Sequence, residues 1–335
     1  MIAGALPAPI MPDNMQMTDL ADLFPGFAAH WIDTSIGKIF ARASGSMPSG
    51  EVPSGSPHGR HANEKLPPLL LLHGYPQTNV IWHRVAPMLA QHFSLVIADL
   101  PGYGWSAVPE ADASHAPYDK HSMAKVMIEV MEKLGHARFN LAGHDRGGRV
   151  AYRLALDNPG RLIRLAVLDI VPTYDMWHGM DRKSAFKVWH WPFLAQAAPL
   201  PEMLLSKAPV EYLEWKMASL TKSRDLSPFD PRALDHYRAF ISDPLRIHAT
   251  CEDYRAGWST DLAHDEADRA AGKKITCPLL ALWGAAGIPS ETSGPLAAWK
   301  QWADDVRGIT VDCGHYPCEE NPQITAKALL EFFNG

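Results

Sequence analysis

The chain contains little cysteine. Four cysteines occur among its 335 residues, namely Cys251, Cys277, Cys313 and Cys318. Cys313 and His315 lack the second pair of ligands that a zinc site requires, so we expect no bound metal. Thiols that stay reduced are typical of an intracellular compartment, which favours a cytoplasmic location. The composition gives no sign of a disulfide framework.

Excess positive charge and long apolar runs are also missing. Lys and Arg total 31 against 37 for Asp and Glu, which leaves a formal net charge of −6 and no basic surface for nucleic acid. No apolar segment approaches the roughly 20 residues that span a bilayer. Residues Met1–Met17 have no basic region ahead of an apolar core, so we expect no signal peptide. We therefore expect neither nucleic-acid nor membrane partners, and a loosely ordered N-terminus over residues 1–19.

Short apolar runs alternate with helical patterns through much of the chain. Two edge strands are expected within His30–Ala43. Buried strands are expected at Leu69–Leu72, Leu95–Ala98, a run beginning at Phe139, Leu165–Asp169, Leu279–Trp283 and Ile309–Asp312. Helices are expected at Val80–Gln91, Tyr118–Leu134, Gly147–Leu156 and Pro322–Phe333. This alternation predicts an α/β fold with a mostly parallel central sheet flanked by helices.

The alternation is interrupted twice. Residues 176–271 are rich in Trp, Tyr and His and show helical patterns without strands, so we expect an inserted helical domain there. The core domain would then comprise residues 20–175 and 272–335. Residues Ser44–Lys65 are rich in Gly, Ser, Pro and His, and they predict an exposed loop.

The segment Gly143-His144-Asp145-Arg146-Gly147 follows one of the expected strands. Its glycines have the spacing of a G-x-S-x-G nucleophile elbow, a strained turn that lifts one side chain above the sheet. Here the central residue is Asp145, whose carboxylate can attack carbon. The alternative is an ordinary strand-to-helix turn in which Asp145 caps the helix. Its position among the features below favours the nucleophile.

Two further residues follow later strands. Asp169 ends the strand after the elbow, and His315 follows the last strand. The carboxyl ends of parallel strands meet at one edge of a sheet, and the order nucleophile, acid, histidine is that of the α/β-hydrolase triad. Backbone N–H groups of Tyr75 and Arg146 are placed to form an oxyanion hole. Glu291 remains an alternative acid, since many relatives of this fold carry the acid after the next-to-last strand.

Six motifs together carry a resemblance to a known family. They are His73-Gly74-Tyr75-Pro76-Gln77-Thr78, Asp99-Leu100-Pro101-Gly102-Tyr103-Gly104, Gly143–Arg149, Leu168–Tyr174, Trp189-His190-Trp191 and Asp253-Tyr254-Arg255-Ala256-Gly257. In this order they resemble the fluoroacetate (haloacetate) dehalogenases of the α/β-hydrolase superfamily. The resemblance runs from about Leu20 to the C-terminus, apart from the loop Ser44–Lys65.

The resemblance implies a two-step hydrolysis of a small haloacid without a cofactor. Asp145 displaces the halide from the α-carbon and forms an ester, and His315 activates the water that hydrolyses this ester. Asp169 orients His315. The resemblance further implies that Arg146 and Arg149 bind the substrate carboxylate, and that His190, Trp191 and Tyr254 bind the halide.

Elementary chemistry supports these roles. A substrate carboxylate must approach the Asp145 carboxylate, and the two negative charges repel each other in a pocket of low dielectric constant. Arg146 and Arg149 are three residues apart at the start of a helix, so both can face one side and offset this repulsion. Otherwise they would be ordinary surface arginines. The side chains of His, Trp and Tyr all supply hydrogen-bond donors suited to a halide, although Trp189-His190-Trp191 is also compatible with simple packing.

Two other functions remain open at this point. Epoxide hydrolases use the same Asp–His–acid machinery but typically carry Trp after the nucleophile, where this chain has Arg146. Burying an arginine over a neutral epoxide, or over a haloalkane, would be costly. Tyr212 and Tyr237 keep epoxide chemistry possible, since two tyrosines of the inserted domain protonate the epoxide in such enzymes. A catalytically silent ligand receptor is the other alternative, although such proteins usually lose a triad residue.

The chain also departs from the fluoroacetate enzymes. Where these carry a Gly-Trp-Gly run, the sequence reads Leu220-Thr221-Lys222-Ser223. Loss of the large ring predicts a roomier pocket that admits larger 2-haloacids or favours chloride and bromide over fluoride. The resemblance also makes a homodimer one state to test, although no segment of the sequence marks an interface.

Overall fold

The computed structural model describes residues 17–44, 66–289 and 294–335. Three expectations therefore lie wholly or mainly outside the described residues: the loose N-terminus over residues 1–19, the exposed loop Ser44–Lys65, and the alternative acid Glu291. Within the described ranges, every helix is too short or too polar to cross a membrane.

The centre of the molecule is an eight-stranded sheet. Its strands are β1 (Phe27–Thr34), β2 (Gly37–Ser44), β3 (Pro68–Leu72), β4 (Ser94–Ala98), β5 (Phe139–His144), β6 (Leu162–Leu168), β7 (Leu279–Gly284) and β8 (Val306–Val311). They lie in the order β1-β2-β4-β3-β5-β6-β7-β8. β2 is antiparallel to β1 and to β4, and all other neighbours pair in parallel. The predicted α/β fold is confirmed, and the two strands expected within His30–Ala43 are present as β1 and β2. The expectation that both are edge strands is wrong, because β2 pairs with β1 on one side and with β4 on the other.

The sheet is buried on both faces. In β3, Leu69 and Leu71 join one hydrophobic cluster, whereas Leu70 and Leu72 join another. Successive side chains of a strand point to opposite faces, so a wholly apolar run requires a layer of helices on each side. This explains why the sequence of β3 does not alternate between apolar and polar residues.

Six helices flank the sheet. They are α1 (Ala86–Leu89), α2 (Lys120–Lys133), α3 (Arg146–Asp157), α12 (Pro295–Trp299), α13 (Pro317–Glu320) and α14 (Pro322–Asn334). The single helix predicted for Val80–Gln91 is wrong, because the segment forms a 3-10 turn, Asn79–Trp82, followed by α1. Pro87 lies in the first turn of α1, and a longer helix would place it in the interior, where it lacks an N–H and clashes with the preceding turn.

A helical segment separates β6 from β7. It comprises α4 (Thr173–His178), α5 (Arg182–Lys187), α6 (His190–Leu194), α7 (Leu200–Leu205), α8 (Pro209–Leu220), α9 (Pro231–Ser242), α10 (Pro244–Trp258) and α11 (Thr260–Ala270). We call Thr173–Ala270 the cap. It contains no strand, as expected for an inserted helical region, while the domain boundaries at 176 and 271 stay a prediction.

Candidate active site

Loops after four of the parallel strands meet at one edge of the sheet. His73-Gly74-Tyr75 follow β3, Asp145 follows β5, Asp169 follows β6 and His315 lies beyond β8. The structure thus brings together residues that are up to 242 positions apart in the chain, as the contact between Gln77 and Glu319 beside this edge also illustrates. The cap covers this edge, since the N–H of His315 donates to the carbonyl of Leu220 in α8 at 2.9 Å.

The elbow has the strained geometry that its glycines indicate. Asp145 has φ +46° and ψ −114°, a conformation that non-glycine residues rarely adopt. A Cβ on Gly143 would lie 2.4 Å from the carbonyl oxygen of Gly147, and a Cβ on Gly147 would lie 2.4 Å from that of His73. The Asp145 side chain makes no capping hydrogen bond to α3. The alternative interpretation of Asp145 as a helix cap is therefore wrong, and its carboxylate is available for chemistry.

The three candidate triad residues form a connected array. The Nδ1 atom of His315 lies 2.5 Å from Oδ2 of Asp169, and its Nε2 atom lies 3.8 Å from Oδ2 of Asp145. All three side chains are buried. The shorter contact fixes the imidazole, and the longer one leaves Nε2 facing the nucleophile without a close hydrogen bond to it.

Backbone groups hold the Asp169 carboxylate. The N–H of Gly284 donates to Oδ1 at 2.8 Å, and the N–H of Ile288 donates to Oδ2 at 3.0 Å. A Cβ on Gly287 would lie 2.0 Å from Oδ1, so the loop after β7 approaches Asp169 closely only because this residue is glycine. Asp169 is thus kept as an oriented hydrogen-bond acceptor for His315.

The loop after β3 contacts the candidate nucleophile Asp145 directly. The N–H of Tyr75 donates to Oδ1 of Asp145 at 2.9 Å. A Cβ on Gly74 would lie 2.3 Å from the Cβ of Asp145, so only glycine permits this approach. The Tyr75 N–H is therefore placed to stabilise negative charge on that oxygen. No hydrogen bond from the Arg146 N–H is seen among the described residues, so its part in an oxyanion hole stays a prediction.

The electrostatic environment keeps Asp145 ionised. Burial alone would raise its pKa, but the charges of His315 and of the two neighbouring arginines outweigh burial and lower the pKa. A carboxylate nucleophile reacts only in its charged form. By contrast, burial lowers the pKa of His144, which lies beside His315, to about 4, so that this imidazole is neutral at pH 7.

The guanidinium of Arg146 is held on one side by hydrogen bonds to another residue of the protein. Its Nε donates to Oδ1 and Oδ2 of Asp253 at 3.1 and 3.0 Å, and its Nη2 donates to the Asp253 carbonyl at 2.8 Å. Its Nη1 atom is buried and has no hydrogen-bond partner among the described residues. One edge of the guanidinium is thus fixed by α10, and the Nη1 donor is left for a ligand.

Arg149 has a different set of partners. Its Nη1 donates to the Val171 carbonyl and to Oγ1 of Thr173, both at 3.1 Å, which are neutral oxygens. Its Nε is buried without a hydrogen-bond partner among the described residues. The guanidinium lies over the ring of Trp191, 4.3 Å from the centroid. No carboxylate among the described residues forms an ion pair with Arg149.

The three predicted halide ligands lie together. The Tyr254 ring packs edge-on against those of His190 and Trp191, with centroid distances of 5.7 and 6.0 Å. All three are buried. Burial and nearby positive charges lower the pKa of His190 well below its usual range, so its ring is neutral. Its Nδ1 atom has no hydrogen-bond partner among the described residues.

The sequence alone did not indicate the structural role of three residues near the site. Asp253 appears there only as the first residue of a motif, Tyr212 only as a possible epoxide ligand, and Lys216 not at all. The Tyr212 hydroxyl accepts a hydrogen bond from the hydroxyl of Tyr75 at 3.1 Å. A carboxylate or an ammonium group inside a helical pattern resembles any other polar residue, and only burial distinguishes it, so no local signal could have found these residues.

Comparisons with known proteins are consistent with this geometry. Residues 67–322 match the family model of the α/β hydrolase fold. A fluoroacetate dehalogenase of Burkholderia sp is 41% identical over 80% of this chain and 87% of the relative. A soluble epoxide hydrolase of Corynebacterium sp. (strain C12) is 31% identical over 79% of this chain and 90% of the relative. A solved structure from Nostoc sp PCC 7120, described as an α/β hydrolase, superposes with a TM-score of 0.83 at 43% identity, covering 92% of this chain and 99% of that one.

Proposed function

This chain belongs to the fluoroacetate dehalogenase family of the α/β-hydrolase superfamily, and from that premise we propose that it hydrolyses haloacetates or small 2-haloacids to 2-hydroxy acids. The observation that carries the proposal is a pair of buried guanidinium nitrogens beside the nucleophile. Nη1 of Arg146 and Nε of Arg149 have no hydrogen-bond partner among the described residues. Buried donors are rarely left unsatisfied, and a carboxylate is the ligand that two arginines best accommodate.

The first step is an SN2 displacement. An oxygen of the Asp145 carboxylate forms a bond to the α-carbon, and the carbon–halogen bond breaks with its electron pair on the halide. His190, Trp191 and Tyr254 surround the leaving halide with polarised N–H and O–H groups. Because His190 is neutral, one ring nitrogen carries a proton that it can donate in a hydrogen bond. The product is an ester between Asp145 and the former α-carbon.

The second step is hydrolysis of this ester. His315 removes a proton from a water molecule, which attacks the carbonyl carbon of Asp145. Nε2 of His315 and Oδ2 of Asp145 are 3.8 Å apart, so a small movement of these side chains allows a water molecule to approach both. The N–H of Tyr75 stabilises the oxyanion, and the proton on His315 passes to the departing 2-hydroxy acid. Asp169 stabilises the imidazolium between these transfers.

Epoxide hydrolysis is the alternative that one observation favours. The Tyr212 hydroxyl reaches the hydroxyl of Tyr75 at 3.1 Å, so one tyrosine of the cap lies near the nucleophile. The Tyr237 hydroxyl instead donates a hydrogen bond to Oε1 of Glu319 at 3.2 Å, so its proton is already used in a contact within the protein. A neutral epoxide would also leave the free donors of Arg146 and Arg149 unsatisfied. We therefore favour the haloacid.

The proposal is tested by measuring halide release from fluoroacetate and chloroacetate, together with diol formation from styrene oxide. We expect halide from the acids and no diol. Asp145→Asn should reduce halide release at least about a thousandfold, because an amide is not a nucleophile here. Asp312→Asn is the matched control, since this carboxylate is exposed and pairs with Lys222 at the surface. Diol without halide would overturn the proposal.

A second prediction concerns the halide. Tyr254→Phe removes one O–H donor from the halide site and should lower fluoride release about tenfold or more, the effect of one hydrogen bond to a charged group. Chloride release should fall less, because chloride accepts hydrogen bonds more weakly. Tyr237→Phe is the matched control and should leave the fluoride-to-chloride rate ratio unchanged. An equal loss for both halides in Tyr254→Phe would argue against a role in halide binding.

The pocket size, the homodimer and the cytoplasmic location expected from the sequence stay predictions. Leu220 and Thr221 are buried residues of the cap, at the end of α8, and Leu220 contacts the His315 loop through its carbonyl. The substitution of this segment relative to the fluoroacetate enzymes therefore lies next to the catalytic histidine. Equal or better turnover of fluoroacetate than of 2-chloropropionate would count against a roomier pocket.

A further inference from the structure

Lys216 is a buried lysine in α8 of the cap. Its exposed fraction is 2%. No described residue forms a hydrogen bond or an ion pair with its ammonium group. Lys120, which is buried to the same degree, instead pairs with Asp253 and Asp261. A buried lysine is almost always paired, so an unpaired one requires a specific explanation.

The position of Lys216 on α8 directs it toward the active site. Tyr212 lies one turn before it and Leu220 one turn after it, so the three residues share one face of the helix. Tyr212 contacts the hydroxyl of Tyr75, and the Leu220 carbonyl accepts a hydrogen bond from the N–H of His315. Lys216 therefore lies between the loop that holds the nucleophile and the loop that carries the catalytic histidine.

Electrostatic coupling agrees with this placement. Burial lowers the pKa of Lys216 to about 7, while the negative charge of Asp145 acts in the opposite direction. The positive charge of Lys216 also lowers the pKa of His190. The ammonium group thus interacts with both the nucleophile and a residue of the proposed halide site.

The charges around the proposed pocket are such that a third cation would offset the charge of a bound substrate. Arg146 and Lys120 are balanced by Asp253 and Asp261. Arg149, whose hydrogen bonds go to neutral oxygens, then offsets Asp145. A substrate carboxylate adds a further negative charge close to the nucleophile, where repulsion is strong because water is excluded.

We propose that Lys216 is a third cationic contact for the carboxylate of the substrate, supplied by the cap opposite the two arginines of the core. This inference rests on the proposed function, since it concerns the same pocket. In its charged form Lys216 attracts the carboxylate and lowers the repulsion between substrate and Asp145. It therefore acts mainly on substrate binding and not on the bond-breaking step.

The proposal predicts a dependence on pH. A bound carboxylate favours the charged ammonium and raises the pKa of Lys216 above its value of about 7 in the free enzyme. Carboxylate binding should therefore be strongest below pH 7, weaken as the pH rises above it, and take up a proton there. The other titratable or charged groups facing this region are Asp145, Arg146, Arg149, His190, Tyr212 and His315.

The experiment is calorimetric titration of the full-length enzyme with acetate, a carboxylate that cannot react. In the unmodified enzyme we expect binding at pH 8.5 to be about tenfold weaker than at pH 6, and proton uptake in buffers of different ionisation enthalpy. Lys216→Met should weaken binding at pH 6 by about tenfold, the size of a charge-assisted contact, and abolish the proton uptake. Lys216→Arg should bind acetate tightly at both pH values, because arginine does not titrate in this range.

Kinetics provide the second readout. With chloroacetate at pH 7, Lys216→Met should raise KM about tenfold and change kcat less than threefold. Lys207→Met removes a cation from an exposed position just before α8 and should behave like the unmodified enzyme in both assays. If Lys216→Met does not fold, the proposal is tested by comparing Lys216→Arg with the unmodified enzyme. The expected result is then that acetate binding by Lys216→Arg no longer depends on pH.

Two outcomes would overturn the proposal: undiminished acetate binding by Lys216→Met, or proton uptake that persists in this variant or in Lys216→Arg. Failure of this inference can be distinguished from failure of the proposed function. If the unmodified enzyme releases no halide but acetate binding depends on Lys216, the reaction has been misassigned and the carboxylate contact stands. If halide is released and acetate binding ignores Lys216, the reaction stands and this inference falls.

Discussion

His315→Gln should convert the enzyme into a single-turnover reagent. In the proposed mechanism the first step needs only the Asp145 carboxylate, the arginines and the halide donors, so one equivalent of halide should still be released per active site. The second step needs a base for water, and its loss should lower steady-state turnover by about a hundredfold to ten-thousandfold. The ester on Asp145 should then accumulate. Rapid-quench measurement of halide, followed by peptide mass spectrometry of the segment around Asp145, detects both.

This result distinguishes two mechanisms. If His315 instead activates water for direct attack on the α-carbon, the variant should release no burst of halide and carry no adduct. Single turnover of the unmodified enzyme in heavy-oxygen water adds an independent check, because ester hydrolysis at the Asp145 carbonyl places the label in the protein. His121→Gln is a suitable control, since this partly exposed imidazole pairs with Asp157 away from the triad.

Asp253→Asn should have the largest effect on stability. Asp253 is buried and accepts hydrogen bonds from Arg146, Lys120 and Tyr103, the last at 2.6 Å. Neutralising it leaves two buried cations with one fewer anion, and breaking a buried pair in this way typically costs about 3–5 kcal/mol. Urea unfolding at pH 7 measures the loss. KM for chloroacetate should rise as well, because Arg146 is no longer held in place.

The pH dependence of this loss has a definite sign. The charges of Arg146 and Lys120 outweigh burial and lower the pKa of Asp253 far below its ordinary value. A lowered pKa contributes stability above the pKa of the unfolded state, about 3.9 for Asp, and loses it as the pH falls below that value. The difference in the free energy of unfolding between the unmodified enzyme and Asp253→Asn should therefore be constant from pH 7 to about pH 5 and become smaller in more acidic solution.

Two further variants make this prediction specific. In Asp253→Asn, Arg146 and Lys120 share one remaining carboxylate, that of Asp261. Lys120→Met in this background removes the excess cation and should recover part of the lost stability. Asp312→Asn, which affects an exposed ion pair with Lys222, should change stability by less than about 1 kcal/mol. A loss in Asp253→Asn no larger than that in Asp312→Asn would show that Asp253 does not hold Arg146 in the way we infer.

Local sequence patterns were informative where backbone geometry limits the choice of residue. The apolar runs of β3 and β6 indicated strands buried on both faces, and the glycines around Asp145 indicated an elbow in which any side chain would collide with the neighbouring backbone. The chain order of Asp145, Asp169 and His315 indicated that they meet, because parallel strands present their carboxyl ends at one edge. Helix boundaries were less predictable, as the interruption between Trp82 and Ala86 shows.

The sequence by itself determined the sheet, the elbow and the residues of the candidate triad, because each depends on a short pattern or on strand order. Only the tertiary structure decided that Asp253 fixes Arg146, that Tyr212 reaches Tyr75, and that Lys216 lies unpaired beside the site. These contacts join the cap to the core across long stretches of chain. A charge buried between two packed elements has no local signature, since its partners, and the loss of water that makes it matter, are set by the packing alone.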